Sequence, residues 1–213
     1  ITPKAKFSST NEQNYEIRLI IWEVVDVPLE GNETLNLICK AKVDMDGSEG
    51  KETLKETDTH LGSKDGYGEF NWRMKFPMKV PCSFPRLTIS VFDQKTIKAD
   101  ESIGHVTLKF DNILKRLLHE GKYETPEPVS VKFKKHGQYN RGSVLISLKI
   151  LTESEASGNP VGEGQKEPNV DPKLDPPKSG RTLGDLLAGV SFKMFNFAFF
   201  LKLIVGAGII CSL

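Results

Sequence analysis

Through residues 15–151 apolar and polar side chains alternate in short bursts. Eight runs carry the pattern: YEIRLIIWEVV, TLNLICKAKV, KETLKETDTH, EFNWRMKF, RLTISVFD, SIGHVTLKF, PVSVKFKK and GSVLISLKI. They are rich in Val, Ile, Thr and aromatic residues, which suit a pleated, half-buried surface. In EFNWRMKF, Phe70, Trp72, Met74 and Phe76 fall on one face and Asn71, Arg73 and Lys75 on the other. That is the period of two of a strand with one wet side. Turn residues such as DGSEG, SKDGYG and VPCSFP separate the runs. Eight strands at this spacing predict an all-β fold, an antiparallel β-sandwich. One stretch has a helical period instead. FDNILKRLLHEG carries apolar residues at 110, 113, 114, 117 and 118 before Gly121, predicting a short amphipathic helix with a glycine stop.

Past Thr152 both patterns cease. TESEASGNPVGEGQKEPNVDPKLDPPKSGRT is dense in proline, glycine and charge and nearly free of large apolar residues. Such a stretch cannot bury enough surface to fold alone, so residues 153–190 are expected to form a flexible tether. From Ser191 the chain turns apolar, SFKMFNFAFFLKLIVGAGIICSL, interrupted by Lys193 and Lys202. A membrane-spanning helix needs about 20 such residues. The span could run from Met194 to Leu213 with Lys202 near its middle, where a charge costs about 3 kcal/mol. Alternatively Lys202 sits at the interface and the span starts at Leu203, cut short at about 16 Å by the chain end. A buried core helix is the third reading.

The expected organisation is a sandwich at 13–152, a tether at 153–190 and a single-pass membrane anchor, truncated or whole, at 191–213. Lys178, Arg181, Lys193 and Lys202 lie before or early in the apolar stretch. The positive-inside rule then puts the sandwich in the cytosol. The chain starts at Ile1 rather than methionine and shows no N-terminal signal peptide, so a fragment of a longer protein is expected.

Composition narrows the function. A chain that is 38% hydrophobic and 27% charged is ordinary for a globular protein. Its net charge of +1 gives no strong pull toward nucleic acid. Cys39, Cys82 and Cys211 are odd in number and widely spaced, and read as free thiols of a reducing compartment. His60, His105, His119 and His136 are scattered, and no HExxH, GxSxG, P-loop or GxGxxG pattern occurs. No enzymatic activity is expected.

The loop FDQKTIKADESIG is the exception to this plainness. A strand runs into Asp93, acids return at Asp100 and Glu101, and Gly104 follows as a turn residue. Carboxylates at both ends of a sharp loop could converge on one calcium ion, a hard cation that takes several oxygen ligands. Yet Lys95 stands where a second carboxylate is wanted.

LIIWEVVDVPLEGNETLNLICK resembles the opening of a C2 domain, and VFDQKTIKADESIG resembles the third calcium loop of that family. RGSVLISLKI resembles the strand that comes first in the other C2 permutation, and its final place implies type II order in an eight-stranded sandwich. More specifically, TDTHLGSKDGYGEFNWRMKFP and ILTESEASGNPVGEGQKEPNVDPKLDPP are similar to ferlin segments, the second joining the last C2 domain to a C-terminal anchor. The resemblance covers Tyr15 to about Lys178 and weakens in the anchor. It implies the end of a large tail-anchored protein of vesicle or plasma membrane, serving vesicle fusion and membrane repair. Implied partners are anionic phospholipid membranes, other C2 domains or fusion proteins.

The resemblance also implies where calcium would bind. Two first-loop and three third-loop aspartates do so in the family, and their positions fall here on Glu30, Asn36, Asp93, Lys95 and Glu101. Asn36 and Lys95 depart from the pattern, and the Lys95 ammonium can take the place of the ion. Asp26, Glu33 and Asp100 lie close enough in sequence to substitute. Weak calcium binding or none is therefore expected, and no other cofactor.

Two features suit calcium-independent membrane contact. Ile97 sits between lysines at the tip of the third loop, with Gly31 at the matching first-loop position. Strand alternation gathers Lys40, Lys42 and Lys55 into a basic patch for a phosphoinositide headgroup, diluted by Glu52, Glu56 and Asp58. Against lipid docking stands a second class of function, a protein-interaction or spacer module.

Overall fold

The computed structural model describes residues 12–45, 53–83, 85–139 and 141–182. Ten strands form two antiparallel sheets: β1 Gln13–Val25, β2 Leu35–Asp44, β3 Leu54–Glu56, β4 His60–Ser63, β5 Gly68–Val80, β6 Arg86–Asp93, β7 Glu101–Lys109, β8 Tyr123–Glu124, β9 Val129–Lys132 and β10 Ser143–Thr152. The first sheet has the order β5-β1-β10-β8, with β9 also on β10; the second has β3-β2-β6-β7, with β4 also on β2. Among the described residues, each of the eight runs expected from the alternation contributes to one of these strands. KETLKETDTH divides into β3 and β4, and the two-residue β8 had no sequence signal.

The core lies between the sheets. Ile17, Leu19 and Ile21 from β1 and Phe70, Met74 and Phe76 from β5 meet Leu37, Cys39 and Ala41 from β2 and Leu87, Ile89 and Val91 from β6, all nearly inaccessible. Each large apolar side chain so buried contributes about 1.5–3 kcal/mol. Helix α1, Asp111–Glu120, adds Leu114 and Leu117 to this core, and the Gly121 N–H closes it on Leu117 O at 2.8 Å. The amphipathic run thus forms the helix its period predicts.

Gly104 is not a turn residue. It lies inside β7 opposite Val91, where a Cβ would stand 2.9 Å from the Arg141 Cβ and 3.0 Å from the Phe133 Cβ. Close packing, not a bend, excludes a side chain there.

The largest departure is in residues 153–182, expected as a flexible tether. They are laid against the first sheet. Helix α2, Glu153–Gly158, starts with a reciprocal cap: Thr152 Oγ1 accepts from Glu155 N at 3.3 Å and Glu155 Oε2 accepts from Thr152 N at 3.1 Å. The chain then runs along the edge strand β5, where Gly164 and Arg73 exchange backbone hydrogen bonds of 2.8 and 3.3 Å. Farther on, Leu61 N donates to Gly180 O at 2.8 Å. Val161 and Leu174 are buried. Composition misled because it counts large apolar residues, whereas this strap is held mainly through its carbonyl groups. Residues 183–190 and the expected anchor at 191–213 lie outside the described residues. Among the described residues, no helix is long and apolar enough to cross a membrane.

Candidate functional site

The loop after β6 begins with a buried acid. Asp93 is 2% exposed, its Oδ1 accepts from Asn36 N at 3.0 Å, and its Oδ2 is ion-paired with Lys95. The two residues lie two positions apart at the strand end, so the lysine stem needs only to fold back over the loop. Asn36 is engaged too: its Oδ1 accepts from Gly62 N at 3.0 Å and its carbonyl from Gln94 N at 2.7 Å. The structure therefore brings Asn36, Asp93 and Lys95 together, with an ammonium against the buried carboxylate.

The other acids face elsewhere. Glu30, with a positive φ of 50°, is ion-paired with Arg141 and with Lys135 at 3.4 Å. Glu101 pairs in register with Asp93 across β6 and β7 but is exposed. Asp100 is taken by Lys40 at 2.7 Å; the hydrogen bond from that lysine lowers the Asp100 carboxyl from its ordinary value and raises Lys40 in turn. Among the described residues, no three of His, Cys, Asp and Glu form a group that could hold a metal ion.

At the tip Ile97 is 95% exposed, beside the exposed Lys98. Its other expected flank, Lys95, is turned back to Asp93.

The three lysines of the basic patch are each engaged. Lys40 holds Asp100, lies 3.7 Å from Glu56 and sits 5.1 Å over the Phe92 ring. Lys42 pairs with Asp44 at 2.6 Å, and Lys55 pairs with Glu163 of the strap. These are partly exposed pairs, each worth about 0.2–1 kcal/mol, so an anionic surface can compete for them.

A second cationic group went unrecognised in the sequence. On the outer face of the first sheet Lys149, Arg18 and Lys75 are direct cross-strand neighbours on β10, β1 and β5, and Arg73 follows two residues along β5. Like charges placed so are destabilising unless something intervenes. The strap intervenes. Arg18 donates to Ala156 O and Asn159 O at 3.2 and 2.8 Å. Arg73, 1% exposed, donates to Val170 O and Pro172 O at 2.8 and 2.6 Å. Lys75 reaches Val161 O at 3.0 Å, and Lys149 holds Asp171 at 2.8 Å. Burial, then the charge of Arg18, lowers Arg73 from the usual arginine value, though a guanidinium stays charged at any physiological pH. At its far end Arg181 grips Asp58 with two hydrogen bonds of 2.6 and 2.9 Å. The signal for this face was present: Arg18, Arg73, Lys75 and Lys149 all fall at polar positions of three neighbouring strands, with the acid Glu16 among them. Only the register shows that they stand side by side.

The histidines fit no common site. His60 is buried, its Nδ1 accepts from Glu69 N at 3.2 Å and its ring meets Tyr67 edge-on. His105 lies on β7, bridged to Lys134.

Comparison with known proteins gives this geometry a context. The C2 domain family model matches residues 12–125. Ferlin 2 of Tetrahymena thermophila is 40% identical over 208 residues, covering 94% of this chain and 12% of that protein. Ferlin 1 of Toxoplasma gondii is 33% identical over 188 residues, covering 86% and 13%. Human myoferlin is 27% identical over 236 residues, covering 84% and 11%. The chain thus spans about an eighth of the length of these relatives.

Proposed function

Starting from a chain that belongs to the C2 domain family, with ferlins as relatives along most of its length, we propose that it docks on phospholipid membranes. The observation that carries this reading is Ile97, 95% exposed at a loop tip beside Lys98. An apolar tip next to a cation suits an anionic interface. The Lys95–Asp93 ion pair supports docking with weak or no calcium binding. The position of β10 beside β1 supports the type II strand order. The apolar stretch from residue 191 would serve as the anchor of a single-pass protein with the sandwich cytosolic, in trafficking, vesicle fusion or membrane repair.

The engagement of Lys40, Lys42 and Lys55 by acids favours the second reading, a spacer or protein-interaction module for other C2 domains or fusion proteins. Co-sedimentation of residues 12–182 with vesicles separates the two. Docking predicts binding to phosphatidylserine-containing vesicles, little change with calcium, and at least a fivefold loss in Ile97→Asp. Equal recovery of parent and variant on these vesicles would sink the tip as the docking element.

A further inference from the structure

The strap closes on a buried histidine. His60 is 5% exposed and begins β4, opposite Leu37 of β2. Its Nδ1 accepts from Glu69 N at 3.2 Å, so the neutral ring carries its proton on Nε2. The backbone of Gly180 lies against the ring, where a Cβ would stand 2.5 Å from Cγ, Nδ1 and Cε1. Tyr67 meets the ring edge-on with 6.2 Å between centroids. The last hydrogen bonds of the strap surround this ring. Leu61 N donates to Gly180 O at 2.8 Å and Lys178 N to Glu69 Oε2 at 2.9 Å. Arg181 donates to Glu69 O at 2.7 Å and grips Asp58.

The acids around the ring are already committed. Asp58 holds the Arg181 fork, and Glu69 accepts from Lys178 N and from Asn71 Nδ2. On the turn before β5, Tyr67 donates its hydroxyl proton to Glu23, and Asp65 accepts from Tyr67 N. A proton on Nδ1 therefore aims a donor at the Glu69 N–H and takes away that amide's acceptor. It also sets a second positive charge close to the Arg181 guanidinium, and the imidazolium is balanced by drawing Asp58 away from the strap. We propose that His60 is a proton-operated latch, closed on residues 178–182 of the strap when its ring is neutral and open when the ring is an imidazolium. The docked end accepts the neutral ring, so docking is at full strength above the ordinary histidine range, about pH 6.5, and is lost as pH falls through it. Burial holds the Asp58 carboxyl above its usual value against the pull of Arg181, so acid loosens the Arg181 grip in the same sense. The Arg73 hydrogen bonds higher on the strap involve no histidine. Opening thus frees the strap's end alone, and under the anchoring proposed above it lengthens the stretch before residue 191.

The test is amide hydrogen exchange of the full 213-residue chain in neutral detergent micelles at about pH 7.5 and about pH 5.5, with rates corrected for the intrinsic effect of pH. Expected is about a five- to tenfold loss of protection at the Leu61 and Lys178 amides in acid, the most that one proton per latch gives over that interval. The Arg73 and Gly164 amides should keep their protection. His60→Asn places an acceptor where Nδ1 stands and cannot charge; its protection at Leu61 should stay within about twofold between the two conditions. Arg181→Ala opens the end from the other side, so low protection at Leu61 is expected at both pH values. Arg181 is partly exposed, so its replacement leaves the sandwich folded, and the melting temperature checks both variants. Equal protection of the parent at the two pH values overturns the latch, as does a folded His60→Asn that loses as much as the parent. An acid loss at Arg73 and Gly164 as large as that at Leu61 marks general loosening and overturns it too, and so does an Arg181→Ala chain as protected as the parent. Ile97→Asp is expected to leave the pH response unchanged, so failure of the docking tip and failure of the latch are read separately.

Discussion

Two regions of this sandwich answer opposite electrostatic problems in the same way. At the end of β6 a buried carboxylate wants a cation, and the chain supplies Lys95. On the outer face of the first sheet a row of cations wants electron-rich partners, and the chain supplies the carbonyls of residues 156–172. The difference is distance along the sequence. Lys95 is two residues from Asp93, whereas Arg73 is about a hundred from the carbonyls it holds. A local filler costs little chain entropy; a distant one must order a whole segment, at about 1–2 kcal/mol per residue before side chains are counted. The strap therefore has to be held at many points, and it is.

That contrast predicts unequal sensitivity. The largest effect is expected at Arg73. Arg73→Ala leaves buried carbonyls without donors and should destabilise by about 3 kcal/mol, lowering the melting temperature by roughly 6–12 °C for a domain of this size. The variant should also become sensitive to limited proteolysis within residues 153–182. A strap as resistant as in the parent would mean that its order does not depend on the guanidinium, and the comparison would break on that side.

At the other region Lys95→Met removes the cation but keeps the length of the stem. Asp93 is then left with the Asn36 N–H, and the expected cost is about 1–2 kcal/mol near neutral pH. Denaturant titration measures it. A loss as large as that of Arg73→Ala would show that local and distant fillers matter equally.

Next comes the attempt to restore a metal. In Lys95→Asp with Asn36→Asp, Asp93 loses its internal cation, while the new carboxylate at 36 can still accept from Gly62 N. Millimolar calcium should raise the melting temperature of this double variant by several degrees and that of the parent by less than about 2 °C. A double variant blind to calcium in calorimetry would show that the loop shape, rather than the charge, is missing. A parent stabilised by more than about 5 °C would remove the case for weak binding.

The smallest effect is expected at the start of the strap. Thr152→Ala removes the cap of α2 and should cost about 1 kcal/mol. The hydrogen bonds from the Thr152 side chain and backbone hold the Glu155 carboxyl below its usual value. Its contribution is thus fully present above the ordinary glutamate range and is lost as pH falls through the lowered folded value. The stability gap between parent and variant should narrow in acid; a gap constant from pH 7 to pH 3 would exclude Glu155 from the cap.

How far these features could be read beforehand follows from the same distinction. The strands from Tyr15 to Leu151 were legible because alternation is a local signal, and so was α1 with its Gly121 stop. The Lys95–Asp93 pair was legible because both residues lie in one loop. The pairing of Glu30 with Lys135 and Arg141 was not legible, because nothing near Glu30 in sequence announces those partners. Arg73 was read as a wet-face residue, as the alternation of EFNWRMKF requires. It is buried only because a second layer returns from the far end of the chain. The strap itself was illegible: its signal resides in cross-strand register and in carbonyl geometry, neither of which composition contains.

The lock of Arg181 on Asp58 and of Gly180 on Leu61 also shortens a leash. The stretch between the last lock on the sandwich and the apolar run from residue 191 is thereby shortened from residues 153–190 to residues 183–190. At about 3.4 Å per extended residue the maximum reach falls from about 130 Å to about 27 Å. Under the proposed anchoring, a sandwich tied so close to residue 191 sweeps a small volume, and its local concentration at the adjoining surface rises accordingly. The proposed shallow contact through Ile97 would then meet its surface at high effective concentration.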